Sequence, residues 1–408
     1  MRHVYLDHQA ATPVLPEVFD AMRPYFTEAF GSASSIHQHG LRARDALANA
    51  RTQMARFVNA ESPEEIIFTS GGTESANLAI KGIAYANQRR GNHLIVSATE
   101  HPSVLNSADF LAQHGFTVTR VPVDREGLID PAAIHATITD QTILIAVHHA
   151  NHELGTIQPI REIGALAGER GIAFFVDATA SGGWLPIDVQ AMGASLLSLS
   201  PHRFYGPKGA GVMYRHRRAR MAGVQHGGDQ EGGRRAGIEN LPAIVGAGVA
   251  AEIAARELPN RREHTAKIQA HLWDTIAKNI DFVRLNGPSP GARRLPTNLN
   301  ISVEFVEGEG LALMLDMNGI AVASGPACVT KSLRISPTLT AIGLPPELAK
   351  GNLLFSLGQD NTKEDIDFAV DALAKAVTKL RAMSPAWDEF QRGAVDSLIR
   401  PRTPQPQR

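Results

Sequence analysis

Between residues 64 and 216 the sequence repeats one pattern: a short apolar run rich in β-branched and aromatic residues, then a stretch with helical spacing. The runs are EIIFTS, HLIVSA, FTVTRVPV, TILIAVHH, IAFFVDA, SLLSLS and GVMYRH, and segments such as PIREIGALAGERG separate several of them. Alternation of this kind is the mark of βαβ units, so it predicts an α/β fold with a mostly parallel seven-stranded sheet covered on both faces. A chain of 408 residues that is 43% hydrophobic and 20% charged can bury that sheet and still build a second domain. A helical stretch over 241–280 leads into further strand-like runs, PTNLNISVEF, GIAVASG and NLLFSLG, and a last helix near 363–382. The boundaries expected from this are a large α/β domain over 15–260, a small α+β domain made of 1–14 and 261–383, and a C-terminal extension over 384–408. The polar, proline-bearing end of that extension is expected to be mobile.

Charge narrows the partners. Forty basic residues stand against 41 acidic ones, the net charge is -1, and no long basic run occurs. Nucleic acid and anionic membranes are therefore not expected as partners, and a small-molecule site is. No apolar run approaches the ~18 residues of a membrane helix, and the start MRHVYLDHQAATP reaches charged residues at once, so the expected location is the cytoplasm without a membrane span. Cys328 is the single cysteine, which excludes an internal disulfide framework. It is either a small core residue or a thiol kept for its chemistry.

Ligands of an open parallel sheet sit outside the carboxyl ends of the strands, so chemistry is sought there. FTSGGTESANLAI ends a strand in Gly71-Gly72 and starts a helix at Thr73, which offers backbone N–H groups and a hydroxyl to an anion such as phosphate. SATEHPSV puts His101 at the next strand end, HHANHELG puts His149, Asn151 and His152 at another, and FFVDATASGG puts Asp177 just after an apolar run. Taken singly, each is an ordinary polar residue. Their joint position at one edge of one sheet marks a site.

From YLDHQAATP and GSASSIHQHG, through TSGGTESANLAIKG, SATEHPSVL, FFVDATASGGWLPID and SLSPHRFYGPKGAG, to GGRRAGIEN, GIAVASGPAC and FSLGQDNTKEDID, the chain resembles the cysteine desulfurases nearly end to end. These are pyridoxal-phosphate enzymes of the class V aminotransferase family, fold type I, that take sulfur from cysteine for iron–sulfur clusters and thiolated tRNA. The resemblance implies a cofactor-holding large domain, a small domain built from both termini, a homodimer, and a loop whose cysteine becomes a persulfide. It also implies roles. Asp177 pairs with the pyridine nitrogen, His101 stacks on the ring, Gly72, Thr73, Ser200 and His202 hold the phosphate, and Cys328 is the loop cysteine.

Several positions depart from that pattern. The Schiff-base lysine falls at Arg203, and a guanidinium cannot form the imine that an amine forms. The residues beside the cofactor's ring hydroxyl become His152 and Ala180, the threonine given by the other subunit becomes Ile238, and the arginine for the substrate carboxylate becomes Leu354. Lys208, past a Gly-Pro turn, is expected to point elsewhere. The leading expectation is a desulfurase-like protein without conventional pyridoxal-phosphate catalysis, its catalytic candidates being Cys328, His101 and Arg203. A thiol at Cys328 can receive sulfur from a partner, help ligate an iron–sulfur cluster with a scaffold protein, or attack a substrate. Two alternatives stay open. One is a new enzyme in the old pocket, taking a small anionic ligand, with His101, His152, His202 and Asp177 as candidate metal ligands. The other is an atypical pyridoxal-phosphate enzyme without an internal imine.

Overall fold

All seven apolar runs become strands of one sheet in a computed structural model, which describes residues 2–325 and 335–399. The strands in chain order are β1 (Val4–Tyr5), β2 (Ile66–Thr69), β3 (His93–Ser97), β4 (Thr117–Val121), β5 (Thr142–His148) and β6 (Ala173–Asp177). There follow β7 (Leu196–Leu199), β8 (Gly211–Arg215), β9 (Val283–Asn286), β10 (Asn298–Val303), β11 (Ile320–Ala321) and β12 (Asn352–Ser356). The large sheet has the order β2-β8-β7-β6-β5-β3-β4. Its strands from β4 to β7 are parallel neighbours, and β8 runs antiparallel to both β7 and β2.

Period-2 alternation divides the strand residues between two cores, one on each face. Leu94 and Val96 enter one core while Ile95 enters the other, and Phe175 and Phe174 part in the same way. The helices Gly72–Asn87 and Pro102–Ala112 cover the first face through residues such as Ile80, Ile83, Val104 and Leu111. Gln38–Val58, Ile160–Glu169 and the start of the helix Leu241–Asn279 cover the second. Each fully buried Val, Leu, Ile or Phe contributes about 1.5–3 kcal/mol, so the pattern that made the strands legible is also what holds them together.

The 39-residue helix Leu241–Asn279 serves two cores. Ile244, Ala247, Ala250 and Ala254 pack under the large sheet, while Ile268, Leu272 and Ile276 enter a separate core with the antiparallel sheet β12-β10-β9 and the helix Lys363–Arg381. Pro259, which cannot donate within the helix, lies between the two contacts. The N-terminus joins this second body: β1 pairs in parallel with β11, and Val4 and Leu6 are in its core. The first part of the C-terminal extension packs as well. Trp387 and Phe390 meet Phe282 and Phe305, and the Glu304 carboxylate accepts from the Leu398 N–H. The end of the extension, residues 400–408, lies outside the described residues, as does Cys328. Among the described residues no helix is long and apolar enough to cross a membrane.

Candidate functional site

The carboxyl ends of β3, β5, β6 and β7 open onto a cavity of about 300 Å³, where the strand order reverses between β3 and β5. One end of it is built by two turns brought into contact: the Gly72 N–H, at the start of its helix, donates to Ser200 Oγ at 3.0 Å. No side chain fits there. A Cβ on Gly72 would stand 2.8 Å from both Ser200 Oγ and Thr179 Oγ1, and one on Gly211 of β8 would stand 2.4 Å from the Gly71 Cα.

Asp177 ends β6 and is 7% exposed. Its Oδ1 accepts from the Thr179 N–H at 2.9 Å and the Ser198 hydroxyl at 2.8 Å, which fixes the carboxylate, while Oδ2 takes no hydrogen bond from the described residues. In register beside it on β5, His148 has Nδ1 2.7 Å from Oε1 of the buried Glu100, the same oxygen that accepts from the His148 N–H. Burial pushes the Glu100 carboxyl up against the pull of His148. His101 caps the helix Pro102–Ala112: its Nδ1 accepts from the Ser103 N–H at 3.1 Å, so the neutral ring carries its proton on Nε2. The His152 ring meets that of His101 edge-to-face, with centroids 5.1 Å apart.

Burial and Arg203 together set the charge of the wall. Burial holds His101 below the usual imidazole range; Asp177 opposes this and Arg203 adds to it. His152 is held well below by burial, then by His101, His148 and Arg203, and His202 is brought to about 4 by burial, then by Arg203 and Lys208. The imidazoles are therefore neutral at neutral pH. Arg203 also reaches Asp7, whose carboxyl burial pushes up and Arg203 pulls back. The turn that carries Arg203 is locked from the N-terminal segment: Thr12 N–H and Oγ1 both donate to the His202 carbonyl, at 2.9 and 3.0 Å, and Trp184 Nε1 donates to the Arg203 carbonyl at 2.9 Å.

Gly72, Thr73, His101, His152, Asp177, Ala180, Ser200, His202 and Arg203 all line this one cavity. His149 does not. Alternation at the end of β5 sends it the opposite way from His148, and its Nδ1 meets Ser181 Oγ at 2.9 Å. Asn151 braces the following turn, accepting from the N–H groups of Glu153 and Leu154. Lys208 is exposed and Leu354 is buried in β12, neither lining the cavity, and Ile238 is 70% exposed. Among the described residues Glu61, Glu65 and His216 are the group that offers three ligand atoms within 4.8 Å of one another, and no three of His101, His152, His202 and Asp177 do so. Sequence reasoning missed Asp7, Gln9, Glu100, His148, Thr179 and Ser198. TEHP and the doubled histidine of AVHHAN hinted at Glu100 and His148, but only the register of β5 against β6 tells which imidazole faces the site.

Two of three handles of pyridoxal phosphate find matching groups here. The turn Gly71–Thr73 with Ser200 and His202 suits the phosphate, and Asp177, whose hydrogen bonds from the described residues all reach Oδ1, suits the ring nitrogen. Among the described residues the aldehyde has no partner, because none that line the cavity is a lysine and a guanidinium forms no imine. The described residues do not fit the cofactor as a covalently held group.

The profile of the aminotransferase class-V family matches residues 4–368. Among curated relatives, "Cysteine desulfurase IscS" of Clostridium botulinum (strain Hall) is 46% identical over 391 residues, covering 96% of this chain and 98% of the relative. The protein of the same name from Methanosarcina thermophila is 46% identical over 382 residues, 94% of either chain. Among solved structures, a "NifS-like protein" superposes with a TM-score of 0.87 at 30% identity, covering 93% of this chain and 100% of that one. The structure titled "SspA in complex with cysteine" superposes with a TM-score of 0.77 at 36% identity, covering 88% and 100%.

Proposed function

This chain belongs to the aminotransferase class-V family, and on that premise we propose that it is a sulfur-transfer protein of the cysteine desulfurase kind that works through the Cys328 thiol and not through a lysine-bound pyridoxal phosphate. The observation that carries this is Arg203: it stands in the cavity wall at the position where the resemblance puts the imine-forming lysine, and no lysine lines the cavity among the described residues. The names of the curated relatives support the sulfur chemistry. Retention of the chain's single cysteine at the position of the family's persulfide loop supports the thiol.

The step is a thiol–persulfide exchange. The Cys328 thiolate attacks the outer sulfur of a donor persulfide, the donor's S–S bond breaks, the donor leaves as a thiolate and Cys328 becomes the persulfide; a second thiolate, on a sulfur-acceptor or cluster-scaffold protein, removes the sulfur in the same way. No outside oxidant is needed, and the exchange suits the reducing cytoplasm. We infer a homodimer as the working form. Ile36, 91% exposed, and Ile238 join Phe26 and Phe30 as large apolar side chains left on the surface of one chain. The segment before Ile238 is tied to the cavity through the Arg235–Glu74 ion pair at 2.9 Å.

The test is chemical. After borohydride reduction, peptide mapping of the purified protein is expected to show no phosphopyridoxyl lysine. Incubation with glutathione persulfide is expected to add one sulfur atom at Cys328, and none in Cys328→Ser. A trapped lysine adduct, or sulfur loading that survives Cys328→Ser, overturns the reading.

A further inference from the structure

Arg203 changes what the cavity can select. Several polar atoms of the wall are buried and have no hydrogen-bond partner among the described residues: Gln9 Nε2, His152 Nε2 and Thr179 Oγ1. Asp177, 7% exposed, takes its hydrogen bonds from the described residues on Oδ1 alone. Unsatisfied polar groups gathered around one small space are costly unless a polar ligand completes them. A volume of about 300 Å³ suits one phosphorylated ring and is too small for a dinucleotide. The phosphate end and the ring-nitrogen end are set by the Gly72–Ser200 contact and by Asp177. What differs from an imine site is the remaining substituent. Where an amine would have attacked an aldehyde, a planar fork of N–H donors lines the space, and a guanidinium pairs with a carboxylate, accommodates a carbonyl oxygen and repels an ammonium. The neighbouring imidazoles do not reverse this preference, since burial and Arg203 itself keep His101, His152 and His202 neutral. The Asp7 carboxyl lies within the field of Arg203, which pulls it down against its burial.

We propose that the cavity is a non-covalent receptor for a flat phosphate monoester whose ring bears a carboxylate, with Arg203 as the residue that selects the acid over the corresponding amine. The proposal rests on the reading that no lysine imine forms here. Pyridoxic acid phosphate, pyridoxal phosphate and pyridoxamine phosphate share one scaffold and differ only in the group presented to Arg203, so they isolate its effect; inorganic phosphate reports the phosphate end alone.

The experiment is calorimetric titration of the full-length protein with each of these four probes. The acid is expected to bind at least ~10-fold more tightly than the amine, as a charge-assisted pair requires. Arg203→Gln is expected to abolish that ratio. Asp177→Asn is expected to weaken the ring-bearing probes and leave inorganic phosphate unchanged. Circular dichroism melts of each variant show whether it folds, and Arg203→Lys, which keeps the cation, is expected to keep part of the preference for the acid. An amine that binds as tightly as the acid, or a preference that survives Arg203→Gln, overturns the inference while leaving the sulfur-transfer reading intact. A borohydride-trapped lysine in the wild-type protein overturns the reading beneath it instead.

Discussion

Arg203, Leu354, Ala180 and Ile238 occupy four different environments, and that separation decides what a single substitution can achieve. Arg203 and Ala180 line the cavity, Leu354 is buried within β12, and Ile238 is on the surface. Arg203→Lys is therefore expected to gain a borohydride-trappable adduct with pyridoxal phosphate while sulfide release from cysteine stays within about a factor of two of the no-enzyme background, because Leu354 still stands where the resemblance puts the carboxylate-binding arginine. Robust sulfide release by this variant would show that the other positions matter little. Three histidines give a second prediction. His8 and His149 are lowered to about 4 by burial, with His148 adding to the effect on His149, and His202 is lowered to about 4 by burial, Arg203 and Lys208. Each stays neutral in the folded protein but takes up a proton near 6.5 in the unfolded chain. The stability they contribute is complete above 6.5 and is lost as pH falls toward 4, each histidine steepening the loss by up to about 1.4 kcal/mol per pH unit. Thermal melts are expected to show a falling midpoint through this window and a shallower fall in His149→Gln; a midpoint that does not move would contradict it. The neutral state of these imidazoles could not be read from the sequence, because burial is a property of what packs against them.

At the scale of the element, the loop that precedes Ile238 depends on one buried ion pair. Arg51, on the helix Gln38–Val58, donates from Nη1 and Nη2 to the two oxygens of Glu231 at 2.8 and 2.7 Å, and the same carboxylate accepts from the Phe68 N–H of β2 at 3.0 Å. The Glu231 side chain is only 2% exposed, and its backbone holds a φ of 50°, a conformation that costs a non-glycine residue. Removing the cation leaves a carboxylate buried without its counter-charge. Arg51→Ala is expected to cost about 3–5 kcal/mol in urea unfolding and to expose residues 223–238 to protease, whereas Arg51→Met with Glu231→Leu recovers most of the loss. A loss below about 1 kcal/mol for the single variant would mean that the pair acts as a surface bridge. The helices and strands themselves were legible, since Leu94, Ile95 and Val96 carry their two-face pattern in the order of residues. The pair was not, because Arg51 and Glu231 lie 180 positions apart and each reads as an ordinary surface charge.

For the molecule as a whole, the large apolar side chains left exposed on one chain predict its assembly. Light scattering at micromolar concentration is expected to give the mass of a dimer, and Ile36→Asp combined with Ile238→Asp is expected to halve it; a wild-type monomer would contradict the inferred interface. Within the chain, the helix Leu241–Asn279 is the shared wall of two cores, and β1 crosses to pair with β11, so the N-terminal segment that locks the Arg203 turn also belongs to the second body. The sequence by itself determined the seven strands, the α/β class and the strand-end residues Gly72, Thr73, His101, His152 and Asp177, because alternation and turn glycines are local and survive without a partner; the resemblance added Ser200, His202 and Arg203. Only the tertiary structure decided that His148 and not His149 faces the site, that Glu100 pairs with it, and that Asp7 lies within the field of Arg203. Those outcomes turn on strand register and on which charges are buried together, and neither exists until the chain has closed on itself.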